Sequence, residues 1–311
     1  MRHISGTLDF SKEGKSVITL GKFDGFHRGH QELISRVLKR KKPNNDTLIF
    51  TFDVSPVMKL SNPDFKVLLS NEERYHLAEK LGIDYLLECP FVSEIMSMSG
   101  EDFIRNILVH QLHAEHVVVG ADFRFGHKRG GSARLLQKMG KELGFTVDVV
   151  EKVMDGHREI SSTYIREEIA KGNIEKANEL LGYSYFIEGE VIHGKHLGHT
   201  LEFPTINIKP AGRKLLPPYG VYVSQTKIGE REWKGITNIG VKPTVGKNEA
   251  GVETFLFDCQ DNLYGERAVV NLLHFQRPEK KFDSVNLLKK QIQEDQILCR
   301  NYFEQVFTSD Y

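Results

Sequence analysis

Between Gly21 and His30 the chain reads GKFDGFHRGH, a ten-residue string holding three glycines, one aspartate and two histidines. Gly21, Gly25 and Gly29 let the backbone approach a bulky anion. His27 and His30, three apart, can aim imidazole N–H groups at phosphate oxygens, with Phe23 and Asp24 in the same string. Positioned donors of this kind stabilise phosphoryl-transfer charge without a covalent intermediate. Two histidines at this spacing are often merely structural; the whole string is what points to nucleotide phosphates. A second segment, GADFRFGHKRGG from Gly120 to Gly131, offers Phe123 and Phe125 to cover an aromatic ring and Asp122 to orient polar atoms. Its alternative is an Asx-type loop with core phenylalanines. A third, ISSTYIR from Ile160, carries Ser161, Ser162 and Thr163, which can cap a helix or donate to a phosphate, and Arg166, a fixed positive fork. Further on, Thr205 and Asn207 share one strand face, and Glu253 sits in the alternating run VETFLF. Read from the residues alone, Thr205 and Asn207 can serve sheet-edge hydrogen bonds and Glu253 can face solvent on the polar side of an edge strand.

These residues need scaffolds to hold them. Short apolar runs predict strands at 17–20, 47–52, 85–87, 117–119 and 146–150. Three- and four-residue spacing predicts helices over 31–41, 71–81, 101–112 and 133–143. The alternation is that of a doubly wound α/β unit around a parallel sheet, with GKFDGFHRGH at a strand–helix junction where such sheets bind ligands. After a helical stretch from Ser162 to Leu181, the runs FIEGEVI, TINIK, GVYVSQTKI, EWKGITNIG, VETFLFD and ERAVVNLLHF predict an antiparallel barrel or sandwich, closed by a long helix over 284–306. Leu181-Gly182 is a helix stop, which sets the expected domains at 1–183 and 184–311.

Composition narrows the partners. In 311 residues, 42 Lys and Arg balance 42 Asp and Glu, leaving no global field for a nucleic-acid backbone or an anionic membrane. Phosphate binding must therefore be local, and no nucleic acid or membrane partner is expected. Cys89, Cys259 and Cys299 are few and far apart, so free thiols in a reducing compartment are expected. The absence of an apolar leader or of a run of about 20 apolar residues makes the cytoplasm the expected location. Oligomeric state is left open.

G-x-F-D-G-x-H-x-G-H, G-x-D-F-x-F-G and I-S-S-T-x-I-R together resemble the FAD synthetase module, a branch of the H-x-G-H nucleotidylyltransferases. From about Tyr185 onward, PTIN, PPYGVY, NIGVKPT, ETFLFD with LYGE, and FQRPEKKF resemble the riboflavin kinase module. The resemblance covers nearly the whole chain and is that of the bifunctional riboflavin kinase/FMN adenylyltransferases. It implies that His27 and His30 contact ATP phosphates and that Gly21, Phe23, Asp24, Gly25, Gly29, Ser161, Ser162, Thr163 and Arg166 line the ATP site. Asp122, Phe123, Phe125 and Arg277 fall to the flavin, and Thr205 and Asn207 to a magnesium ion. Glu253 would take the proton of the attacking riboflavin hydroxyl. The implied small molecules are ATP, FMN and riboflavin, with Mg2+ as cofactor.

Departures from the family pattern carry expectations too. Val54-Ser55-Pro56 stands where P-H-P is usual, and Glu159, preceded by Arg158, stands where a basic residue is usual. In GKHLGHTLEFPTIN, His199 replaces an arginine, Glu202 a glycine and Ile206 a small residue. A carboxylate beside ATP phosphates is repulsive, which predicts FAD synthesis with weak or lost riboflavin phosphorylation. The alternatives are adenylylation of another phosphorylated small molecule, or a flavin-binding regulator that has lost its chemistry.

Overall fold

The computed structural model describes residues 1–53, 65–193, 205–244 and 247–308, leaving aside the side chains of 242–244, 247–249 and 306–308. Two compact units emerge, Met1–Ser162 and Thr163–Tyr311.

The first unit is built on six parallel strands: β1 (Arg2–Ser5), β2 (Lys15–Leu20), β3 (Asn45–Phe52), β4 (Tyr85–Cys89), β5 (Ala114–Gly120) and β6 (Thr146–Val150), in the order β1-β4-β3-β2-β5-β6. Their interior runs, such as VITL and LIFTF, are buried almost throughout, as a sheet covered on both faces requires. The connections step one way from β2 through β3 to β4, then return to place β5 on β2's other side. That reversal opens a crevice at the carboxyl ends of β2 and β5. GKFDGFHRGH leaves one of these strands and GADFRFGHKRGG the other. Helix α1 (Arg28–Lys39) packs across β2, β3 and β5; α2 (Asn71–Lys80) opens with a complete capping box between Ser70 and Glu73; α4 (Ala133–Leu143) ends on the left-handed Gly144.

Two features lie beyond the sequence reading. β1 adds a sixth strand, pairing parallel with β4; its short polar sequence RHIS gives no strand signal. Within the helix expected at 101–112, Phe103–Gln111 (α3) is wound as a π-helix, with Leu112 N–H donating to Ile107 O at 3.0 Å. π-helices occur mostly as short insertions and often near functional sites.

In the second unit, α5 (Ser162–Lys171) and α6 (Ile174–Leu181) are separate helices, parted at Gly172, whose φ is +82°. Six antiparallel strands follow: β7 (Phe186–Ile192), β8 (Thr205–Ile208), β9 (Gly220–Ile228), β10 (Arg231–Thr244), β11 (Lys247–Leu256) and β12 (Arg267–Pro278). They close in the order β7-β8-β11-β10-β9-β12, a barrel rather than a sandwich. Inward positions include Ile206, Ile208, Val252 and Leu256, together with Ser224, Thr237 and Thr254, whose hydroxyls hydrogen-bond at 2.8 Å. Helix α6 is tied to the barrel by Asn178, which donates to Leu272 O and accepts from Tyr185 N–H.

The last helix, α7 (Val285–Thr308), buries Cys299 and Phe303 against Val221, Val223, Ile236 and Phe257. Arg277 of β12 grips it through a bidentate pair to the buried Asp295, with Nε–Oδ1 2.9 Å and Nη2–Oδ2 2.6 Å. Gln276 and Gln291 donate to the same carboxylate. Removing one partner of such a buried pair leaves the other uncompensated. Asp295→Ala is therefore expected to lower the stability of this unit by about 3 kcal/mol, measured as the shift in a urea unfolding curve; an unchanged midpoint would show that the pair does not hold the helix.

Candidate functional site

Every segment of the β2–α1 loop is anchored. Gly21 N–H donates to Phe50 O, Thr51 Oγ1 to Lys22 O, and Gln31 Nε2 to Phe26 O. Asp24 sits at the centre. Its Oδ1 accepts the backbone N–H groups of Leu68 and Leu69 at 2.9 and 3.3 Å, and its carbonyl accepts the Ser162 hydroxyl at 2.7 Å. The loop turns through positive φ at Phe23 (46°), Gly25 (92°) and Phe26 (37°). For a bulky aromatic residue that region is rare and strained, so the surrounding bonds must over-determine it.

What the loop delivers is a pair of histidines. The rings of His27 and His30 stack at 3.7 Å between centroids, and Phe23 lies 4.9 Å from His30. Phe23 and Phe26 have no exposed surface. Phe23 thus stands beneath the histidines as packing, in contrast to the direct ATP contact that the resemblance implies. Gly29 is needed because a Cβ there would meet the His27 ring at 3.2 Å. His27 occupies the N-cap of α1 with no side-chain cap, and the first turn holds no acidic residue. Nδ1 of both histidines is buried with no hydrogen-bond partner. Burial pushes the His27 pKa down to about 4, and His30 falls well below the usual value through burial first and the neighbouring His27 second. At neutral pH both are uncharged, each with one N–H and one lone pair, at a helix start that favours anions.

Around this pair the other expected residues divide. Ser162, the last residue of the first unit, spends its hydroxyl proton on the Asp24 carbonyl. Ser161 is half-buried; Thr163 is exposed and Arg166 half-buried, both along α5. On the β5 loop, Phe125 is buried in the core against Phe103, whereas Phe123 stacks on it at 5.4 Å and stays half-exposed. Only Phe123 has a face to offer a ring. Asp122 is exposed and pairs with Lys152 at 3.0 Å, and Lys152 also pairs with Glu159 at 2.5 Å. Those two carboxylates raise the Lys152 pKa. Lys152, which the sequence reading missed, joins the β5 loop to the residue before ISST and neutralises Glu159. Ser55 lies outside the described residues.

In the second unit Asn207 and Glu253 are direct cross-strand partners, and Thr205 lies two residues along on the same face. The Thr205 hydroxyl donates to Glu253 Oε1 at 2.7 Å. Their neighbours Ile206, Val252 and Thr254 point into the barrel, so this trio faces outward. Its oxygens form a donor set suited to a hard cation. Arg277, expected at the flavin, has its guanidinium bonded to Asp295 of α7 and to Pro278 O. His199, Glu202 and Pro204 lie outside the described residues. Cys89 and Cys299 are buried, and burial pushes both thiols up to about 12, so both are protonated and inert; Cys259 is half-buried.

Residues 9–164 match the FAD synthetase family, and residues 181–303 match the riboflavin kinase family. A protein from Escherichia coli (strain K12) described as bifunctional riboflavin kinase/FMN adenylyltransferase is 36% identical over 309 residues, covering 97% of this chain and 98% of that protein. One of the same description from Listeria monocytogenes serovar 1/2a is 36% identical over 301 residues, covering 96% and 95%. A solved structure described as a macrolide-efflux protein from Streptococcus pneumoniae superimposes with a TM-score of 0.85 at 32% identity, covering 96% of this chain and 98% of that one. Among the described residues no helix is long and apolar enough to cross a membrane.

The buried neutral histidines have a consequence for acid stability. Unfolded histidine takes up a proton near pH 6.5, whereas folded His27 waits until about 4. The unfolded state therefore binds more protons between those values, and stability falls as pH drops through that window. His27→Gln is expected to flatten the decline in thermal midpoint between pH 6.5 and 4; parallel wild-type and variant curves would show that the ring does not titrate this way.

Proposed function

Given that the chain belongs to the family of bifunctional riboflavin kinase/FMN adenylyltransferases, we propose that its first unit transfers AMP from ATP to FMN and its second phosphorylates riboflavin. The observation that carries the first activity is the stacked, uncharged His27–His30 pair with buried unpartnered Nδ1 atoms at the start of α1. An FMN phosphate oxygen attacks the α-phosphorus of ATP, the bond to the β-phosphate oxygen breaks, and pyrophosphate leaves. No protein nucleophile takes part. The imidazole N–H groups and the first-turn amides of α1 hold phosphate oxygens in place and stabilise the charge that develops on them. A polyphosphate beside the rings favours their protonated form, strengthening the same bonds.

ATP is assigned to Gly21, Gly25, Gly29, His27, His30, Ser161, Thr163 and Arg166. Asp24 and Ser162 act by fixing the loop, and Phe23 by supporting His30. The flavin is assigned to Phe123, whose half-exposed ring is backed by Phe125. In the second unit Glu253 accepts the proton of the riboflavin hydroxyl as its oxygen attacks the γ-phosphorus and ADP leaves. Thr205 and Asn207 would hold Mg2+, which supplies neutralisation of the phosphate charge. Thr205 also orients Glu253 by hydrogen bonding. The enzyme is assigned to the cytoplasm, with the boundary between activities at 183/184.

Incubation with ATP, Mg2+ and FMN is expected to give FAD and pyrophosphate, read by chromatography; no FAD under any divalent-metal condition would refute the adenylylation reading. His27→Ala and His30→Ala should each slow it by about 100-fold, the scale of losing one preorganised donor. With riboflavin in place of FMN, FMN should form, and Glu253→Gln should abolish this while leaving adenylylation intact. His199→Arg with Glu202→Gly should raise the kinase rate; an unchanged rate would show that those positions do not weaken it.

A further inference from the structure

Glu253 stands in a row of polar side chains that the barrel's register lays across three strands. Asn207 of β8 and Asn238 of β10 are both its direct cross-strand partners. The three therefore project from one face, with neighbouring Cβ atoms about 5 Å apart. The adjacent pair Thr237 and Thr254 is buried and hydrogen-bonded inside the barrel, which places Asn238 on the outer face with Glu253.

The two flanks of Glu253 differ. On the β8 side Thr205 donates to the carboxylate and Asn207 is buried. On the β10 side Asn238 is half-buried, and among the described residues its side-chain amide makes no hydrogen bond. The next positions on that face are Gly240 and its partner Gly251. Neither carries a side chain, and the Glu279 carboxylate lies where a Cβ of Gly240 would be. The Glu279 carboxylate thus covers the buried Gly240, and Gly251 beside it is half-buried.

An amide both donates and accepts, which suits a hydroxyl. A phosphate would use the donor alone and would be repelled by Glu253 and Glu279. The kinase reading, on which this step rests, puts the attacking hydroxyl of riboflavin at Glu253, and that hydroxyl ends a chain bearing further hydroxyls. With Thr205 and Asn207 on the nucleotide side, the chain has the β10 side to run along. We propose that Asn238 is a specificity residue of the kinase site, hydrogen-bonded to the ribityl hydroxyl next to the one phosphorylated.

The test compares the parental protein, Asn238→Ala and Asn238→Ser with riboflavin and with 4′-deoxyriboflavin, using FMN adenylylation by the same preparations to verify their integrity. Asn238→Ala should lower kcat/KM for riboflavin by about 10-fold, the scale of one neutral hydrogen bond, with KM for ATP unchanged. With 4′-deoxyriboflavin the parental protein and Asn238→Ala should be equal, and Asn238→Ser should recover part of the loss with riboflavin. An equal loss on both substrates would assign Asn238 to structure, and no loss would remove it from the site; either overturns the proposal while leaving the kinase reading standing. A parental protein that makes no FMN from riboflavin would instead defeat the kinase reading, and this inference with it.

Discussion

The hydrogen bonds accepted by Asp24 hold the first unit's β2–α1 loop together. One residue takes two backbone amides on its carboxylate and one hydroxyl on its carbonyl, joining Leu68, Leu69 and Ser162 to a single turn of chain. A carboxylate accepting backbone N–H groups makes strong, directional bonds. With the burial of both rings and the bonds at Gly21, Lys22 and Phe26, they hold Phe23 and Phe26 in a left-handed conformation that costs on the order of 1–3 kcal/mol at each non-glycine position. That backbone path lets α1 begin at His27 rather than at an ordinary serine or aspartate cap, leaving the first-turn amides free for an anion. The packing also strips both imidazoles of charge at neutral pH.

The second unit reaches its geometry by ladder rather than by loop. Cross-strand pairing sets Asn207, Glu253 and Asn238 side by side, and Thr205 trims the carboxylate's orientation with one hydroxyl. Helix α7 closes the neighbouring outer surface over Val221, Val223 and Ile236, held at its middle by Asp295 and Arg277. The two units thus show two ways of fixing side chains to within hydrogen-bonding tolerance: a strained turn pinned at many points, and a regular sheet that needs little beyond its own register.

Much of this was legible in the chain. Apolar runs located five of the six parallel strands and all six barrel strands, and Thr146–Val150 and Ala133–Leu143 fall at their expected limits. RHIS gave no signal because its strand character comes from pairing with β4, not from its own residues. The π-helical winding of Phe103–Gln111 is invisible to apolar spacing, which reports a buried face and not the hydrogen-bond span. The string GKFDGFHRGH located the strand–helix junction but not which of its side chains are packed away and which are held at the helix start. Asp24 binds Leu68, Leu69 and Ser162, and Phe23 packs on His30, contacts that depend on how distant residues fold together. Lys152 and Asp295 escaped for the same reason: each acquires meaning only beside Glu159 and Arg277, whose own reading then changes.

The alternation along β8 has an effect reaching past chemistry. Ile206 and Ile208 point into the barrel, and Thr205 and Asn207 point out. Because the side-chain period of a strand is two, advancing the chain by a single residue would drive the polar pair inward and strand both isoleucines in water. A one-residue insertion or deletion here damages stability and the outward-facing row together, so no variant of that kind can trade one against the other. At the two-residue Gly229–Glu230 turn between β9 and β10, an added residue also acts on pairing, because the turn's length sets the register of that hairpin.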